Sequence, residues 1–154
     1  MRTGAKLPTR GQWWKWAVVP LRRYARFDGR SAPLEFWMYS LFLLAGYLTI
    51  FMIGVALALI GNSAFVGEKI GMIVAGCWGI FFLGNFVPGL SLTARRLHDL
   101  GFSGHWVWAV CGALIVLNLI AWLAYLVVMS IPGQRAENRF GPPVYGKDIA
   151  GVFS

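Results

Sequence analysis

Three apolar stretches free of Asp, Glu, Lys and Arg constrain this chain more than anything else in it: 37–60 (24 residues), 70–94 (25 residues) and 106–131 (26 residues). At about 1.5 Å per residue, each makes a helix of roughly 36–39 Å, longer than the roughly 30 Å hydrocarbon core of a bilayer. Lipid offers no partner to a free N–H or C=O, so only helices and closed barrels cross it. Barrel strands alternate apolar and polar residues over about 10 positions. These stretches do not alternate. A soluble bundle would need polar residues to cover itself. With 58% hydrophobic and 13% charged residues in 154 positions, the chain lacks them. The expected fold is therefore all-α and integral to the membrane, with transmembrane helices at about 37–60, 70–94 and 106–131. The first stretch is too long, and starts too late at residue 37, for a cleaved signal peptide, whose apolar core is about 7–15 residues. It is expected to stay as an anchor.

Orientation follows from the cations near the helix ends. Eight precede Trp37: Arg2, Lys6, Arg10, Lys15, Arg22, Arg23, Arg26 and Arg30. Lys69 lies in the first loop, Arg95 and Arg96 in the second, and Arg135, Arg139 and Lys147 in the tail. Three spans put ten cations on the N-terminal side and four on the other. The N-terminus is thus expected in the cytoplasm and the tail outside. A re-entrant hairpin at Asn118 would instead return the tail to the cytoplasmic side. Residues 1–11 read as a basic tail, 12–142 as one membrane domain, 132–142 as a compact turn and 143–154 as a C-terminal tail. The net charge of +8 comes mostly from the N-terminal segment. There the cations alternate with Trp13, Trp14, Trp16, Tyr24 and Phe27. That mixture suits an interfacial amphipathic helix over about 12–26, broken or kinked at Pro20, lying on an anionic leaflet rather than on nucleic acid.

Within the runs, Gly71, Ala75 and Gly79 recur every four residues, as do Gly54 with Ala58 and Ala109 with Ala113. Such faces let helices approach closely in lipid. Pro88 is expected to kink the second helix. Asn85 and Asn118, the deepest polar residues, are expected to hydrogen-bond between helices. Cys77 and Cys111 stand far apart without nearby His or Cys and read as small buried hydrophobes, not as a disulfide or a zinc site. Proton relays and ion pathways normally place ionisable residues inside the spans, and none is there. No phosphate-cradling glycine loop, metalloprotease motif or nucleophile elbow occurs. No cofactor or metal is expected.

The specific charge sits at the run ends. In the segment 27–37, Asp28-Gly29 reads as a turn, Pro33 as the first residue of a helix and Glu35 as an anion at its positive end. In 95–99, Arg95 and Asp99 form an i,i+4 pair if the helix continues. Gly101 and Gly104 then end it. A third turn holds Asn138 and Arg139. The candidate polar cluster is Asp28, Arg30, Glu35, Arg95, Arg96, His98 and Asp99, with Asn138 and Arg139 as a second turn. An ion-pair network fixing the helix ends is one reading. A grip on an anionic phospholipid headgroup or a protein partner, with Arg95 and Arg96 holding phosphate, is another. His98 as base with Asp99 as orienter is a third, for a membrane-interface enzyme. It is handicapped because neighbouring helical residues point about 100° apart. The leading expectation is a small non-enzymatic membrane protein that binds anionic lipid or a partner, including another copy of itself. A transporter or channel subunit or an interface enzyme is the alternative.

The segments GRSAPLEFW, RRLHDLGFSGHW and ENRFGP, in that order around the apolar runs, resemble a family of small bacterial inner-membrane proteins, domain of unknown function 805. The likeness runs from about Trp13 to Pro142. The chain departs from the family pattern at Pro33 and Leu34, where basic residues are usual, and at His105, where an aromatic is usual. The resemblance implies a bacterial cytoplasmic-membrane location and carries no assigned activity.

Overall fold

The computed structural model describes residue 8, residues 11–61 and residues 64–144, all helix, turn and loop apart from one isolated bridge between Asn138 and Gly141. Most of the basic tail and residues 145–154, with Lys147, lie outside the described residues.

The N-terminal segment is not one interfacial helix. It forms two single turns, α1 (Trp13–Trp16) and α2 (Val19–Arg22). Pro20 lies in the first turn of α2, where its missing N–H costs nothing, and so starts a second turn instead of continuing the first. The amphipathic layout survives the break. Trp16, Val19 and Ala32 form a buried cluster with Leu34 and Met38, while Trp13, Trp14, Lys15 and Arg22 are exposed.

The first two runs extend beyond their charge-free limits. Helix α3 spans Pro33–Ile60, with Pro33 and Glu35 in its first turn. Helix α4 spans Ala64–Asp99 and runs through Pro88 to include the charged segment. It ends in a Schellman motif: Phe102 N–H bonds to Leu97 C=O at 2.9 Å and Gly101 N–H to His98 C=O at 3.0 Å. Gly101 closes it at φ +89°, which side chains resist. Both helices are long and apolar enough to cross a membrane, the most apolar 18 residues having mean hydropathy 2.4 in α3 and 1.9 in α4. In their most apolar 18 residues only 6% and 0%, respectively, are buried inside the molecule. A helix serving as the core of a soluble protein would show the reverse.

The third run corrects the expectation of a single spanning helix. It is two shorter helices, α5 (Trp106–Val116) and α6 (Asn118–Ser130), of 11 and 13 residues. Leu117 separates them, and Asn118 opens α6 at φ +45°, a conformation that Asn tolerates better than most residues. Each helix is roughly 16–20 Å long, well short of the hydrocarbon core. The two pack on each other, and both outer ends return to the end of α4. The 132–142 turn therefore lies beside Arg30 and Asp99, not at the opposite end of α4 as three straight spans require.

Helices α3 and α4 meet where glycine leaves room. A Cβ on Gly46 would sit 2.5 Å from Phe81, and one on Gly54 would run into Val74. Tyr47 adds an edge-to-face contact with Phe81 at 5.0 Å. Tyr39 bridges the pair by donating to Asn85 Oδ1 at 2.8 Å. The expected stripe of Gly71, Ala75 and Gly79 is not used within the chain. All three are exposed, and nothing approaches a Cβ built on Gly71 or Gly79. Cys77 and Cys111 are free, and Cys77 is exposed. The core lies at one end, where Phe36, Tyr39, Leu92, Leu97, Val107 and Met129 converge from α3, α4, α5 and α6. Each large side chain buried there contributes roughly 1.5–3 kcal/mol.

Candidate functional site

The charged segments meet on top of that core. Gly29 at φ +85° turns the chain so that Arg30 points under the end of α4. Its guanidinium makes four hydrogen bonds: Nε donates to Asp99 Oδ1 at 2.7 Å, Nη1 to the carbonyls of Ala136 (2.9 Å) and Gly141 (3.3 Å), and Nη2 to that of Gln134. Arg96 is its counterpart. Nε donates to Met129 C=O at 3.0 Å, Nη1 to Asp99 Oδ2 and Ser31 C=O, and Nη2 to Ile131 C=O. Asp99 is thus held between two arginines, all three buried. Its own C=O accepts from Gln134 N–H at 2.9 Å. A side chain at Gly133 would collide with its carboxylate. Together these bonds tie the 27–31 segment, α4 and the segment after α6 into one closed knot.

A second ion pair lies beside it. Arg95 Nη1 is 3.1 Å from Glu35 Oε1, both side chains wholly buried. The pair is poorly aligned for a hydrogen bond, and Nη2 of Arg95 has no partner among the described residues. Ser31 steadies the other carboxylate oxygen, donating to Glu35 Oε2 at 2.8 Å, and its N–H bonds to Arg95 C=O at 3.2 Å. The i,i+4 pair of Arg95 with Asp99 is not formed. Arg95 turns to α3, while Asp99 takes Arg96 one turn back and Arg30 across the chain.

His98 sits on the outer side of this network. Its Nδ1 bonds to Gly29 C=O at 3.1 Å, and its ring stacks on Phe140 with centroids 3.8 Å apart and planes 7° from parallel. Asn138 fixes Phe140: Nδ2 donates to His98 C=O at 3.0 Å, and Oδ1 accepts from Phe140 N–H at 2.9 Å. Arg139 is exposed, its guanidinium 4.7 Å over the Phe140 ring. A cavity of about 430 Å³ opens next to His98, walled chiefly by Leu90, Ala94, Val107, Trp108 and Phe140.

Of the residues named from the sequence, Arg30, Glu35, Arg95, Arg96, His98, Asp99, Asn138 and Arg139 come together. Asp28 does not. It is exposed in its turn, and no ion pair holds it among the described residues. The arrangement offers little for catalysis through the His98–Asp99 pair, because His98 bonds to Gly29 and Asp99 to two arginines. Nor do Arg95 and Arg96 present themselves to a headgroup, since both are 0% exposed. Among the described residues no group of three or more His, Cys, Asp or Glu can hold a metal. Sequence reasoning missed Ser31, Gln134, Gly133 and Phe140. It also missed the carbonyls of Met129, Ile131 and Ala136, which have no side-chain signature at all. The quoted segments around 31 and 140 were the available signal.

The chain matches the family described as Protein of unknown function (DUF805) over residues 24–142. It belongs to that family. The matched stretch begins just before the Gly29 turn and ends just after the Asn138–Gly141 bridge, so it contains the whole knot. The chain is also similar to Inner membrane protein YhaI of Escherichia coli (strain K12), at 29% identity over 136 residues, covering 87% of this chain and 99% of that protein. The protein of the same name from Escherichia coli O157:H7 matches with the same figures. No solved structure shows significant similarity to the chain.

Proposed function

We propose that this chain is a small non-enzymatic protein of a bacterial inner membrane that docks its N-terminal face on anionic lipid. In this reading α3 and α4 span the bilayer, and α5 with α6 dips in and returns. The N-terminal segment and the 132–142 turn then share the cytoplasmic side. The observation that carries it is the placement of charge. Among the described residues, nine of the ten Lys and Arg lie at the end with the knot, and Lys69 alone lies at the other. That asymmetry is the one expected of a cytoplasmic face. The name of the similar Escherichia coli protein, Inner membrane protein YhaI, supports the same membrane.

The knot consumes Arg30, Arg95 and Arg96, so lipid contact falls to the exposed cations Lys15, Arg22, Arg26, Arg135 and Arg139. Trp13, Trp14, Tyr24 and Phe27 stand exposed among them, as residues anchoring at headgroup depth do. Each such cation contributes on the order of 1 kcal/mol near an anionic surface. Native mass spectrometry of the full chain should show retention of phosphatidylglycerol or cardiolipin over phosphatidylcholine. Changing Arg22, Arg26, Arg135 and Arg139 together to Ala should remove the preference. Equal retention of all three lipids by the unaltered chain would overturn the lipid-docking reading.

A further inference from the structure

We propose that the cavity beside His98 binds a single-chain, uncharged lipid through one hydroxyl group. The inference rests on the membrane placement proposed above, and it concerns the cavity, whose lining includes none of the exposed cations. The state of the imidazole points to it first. A carbonyl can only accept, so the 3.1 Å contact with Gly29 C=O puts the ring hydrogen on Nδ1. In the neutral ring Nε2 is then an acceptor. The stack on Phe140 and the Gly29 bond prevent it from turning to another partner.

Access points the same way. Nε2 lies on the side of Gly104, where a Cβ would stand 2.8 Å from it. Gly104 and His98 both line the cavity, so the missing side chain is what leaves the acceptor uncovered. The rest of the wall sets the kind of ligand. It contains no Lys, Arg, Asp or Glu, and its polar groups besides His98 are Ser103 and His105, which hydrogen-bond to each other at 3.1 Å. An ionised headgroup would be desolvated there without a counter-charge, which is costly. Arg139 sits over Phe140 but is not part of the lining. A hydroxyl donating to Nε2 keeps its hydrogen bond, and its chain can lie on Leu90, Val107 and Trp108. The volume, about 430 Å³, falls within the range of ligand pockets. Trp108 is 69% exposed, which places the cavity at the surface a lipid would travel along.

The test uses the full chain in phosphatidylcholine nanodiscs with an oleyl alcohol carrying a photoreactive diazirine, the labelled peptides being mapped by mass spectrometry. Label should concentrate between residues 90 and 108. Oleyl alcohol should compete about three- to tenfold better than oleyl methyl ether, which cannot donate, as the loss of one hydrogen bond predicts. Oleate should compete no better than the ether. Gly104→Ala should cover Nε2 and bring alcohol and ether to equality, and Leu90→Trp should fill the space and abolish the focused label. If Leu90→Trp does not fold, the alcohol and ether comparison on the unaltered chain decides alone. Equal competition by alcohol and ether, strongest competition by oleate, or label spread evenly over α3 and α4 would each overturn the proposal. The comparison of alcohol with ether, both uncharged, does not bear on the preference for anionic phospholipid, so the two readings fail separately.

Discussion

Asp99 shows how much one residue can hold at the end of a helix. Its carboxylate accepts from Arg30 and Arg96, and its carbonyl takes the N–H of Gln134. Removing one partner from a buried pair costs about 3–5 kcal/mol, because the remaining charges stay buried without compensation. Asp99→Ala should therefore strongly lower the melting temperature in detergent, whereas Asp28→Ala, at an exposed carboxylate outside the knot, should leave it unchanged. Equal shifts would mean that the knot is solvated. Glycines separate in the same way. Gly133→Ala drives a Cβ into the Asp99 carboxylate and should destabilise, while Gly71→Ala meets nothing and should be neutral or better. The charged residues of the knot were legible in the sequence because charge is rare in this chain and gathers at the run ends. Their partners were not. Arg95 with Glu35, and Arg30 with Asp99, are choices made by the approach of α3 to α4, and helical spacing alone pointed to Arg95 with Asp99.

Element boundaries divide along the same line. The start of α3 and the stop of α4 follow from local chemistry: Pro33 at a helix start, Gly101 in a left-handed cap. The breaks were harder to read. Asn118 inside an apolar run reads either as a polar spot that seeks a partner across helices or as the tip of a hairpin, and the structure takes the second, with Asn118 at φ +45°. Left-handed geometry costs most residues about 1–2 kcal/mol and costs Gly little. Asn118→Gly should thus keep the melting temperature, and Asn118→Val should lower it by the equivalent of about 1–2 kcal/mol. An Asn118→Val variant as stable as the unaltered chain would argue for a continuous helix over 106–131. Small-residue spacing was right at Gly54 and misled on α4, where the stripe of Gly71, Ala75 and Gly79 lies exposed. A stripe at i, i+4, i+8 permits close approach, but the contact of α3 with α4 follows Gly46 and Gly54, where bulky side chains of α4 need the space.

At the scale of the molecule, one end is a folded head of short helices, turns and buried ion pairs. The rest is two apolar helices packed on each other, with most of their side chains exposed. Membrane character was legible from run length and missing charge. The number of crossings was not, because a hairpin and a straight helix share the same composition and differ only at their tip. The hairpin moves the tail turn to the side of the N-terminal segment, and the proposed cytoplasmic face depends on that placement. It is tested most directly by cysteine accessibility in intact cells, in a background with Cys77 and Cys111 replaced by Ala. Glu68→Cys, in the first turns of α4, should react with an impermeant maleimide in intact cells. Lys15→Cys and Arg135→Cys, both exposed at the head, should react only after the membrane is opened. Reaction of Arg135→Cys alongside Glu68→Cys in intact cells, with Lys15→Cys still protected, would put the tail on the outer side and contradict the hairpin.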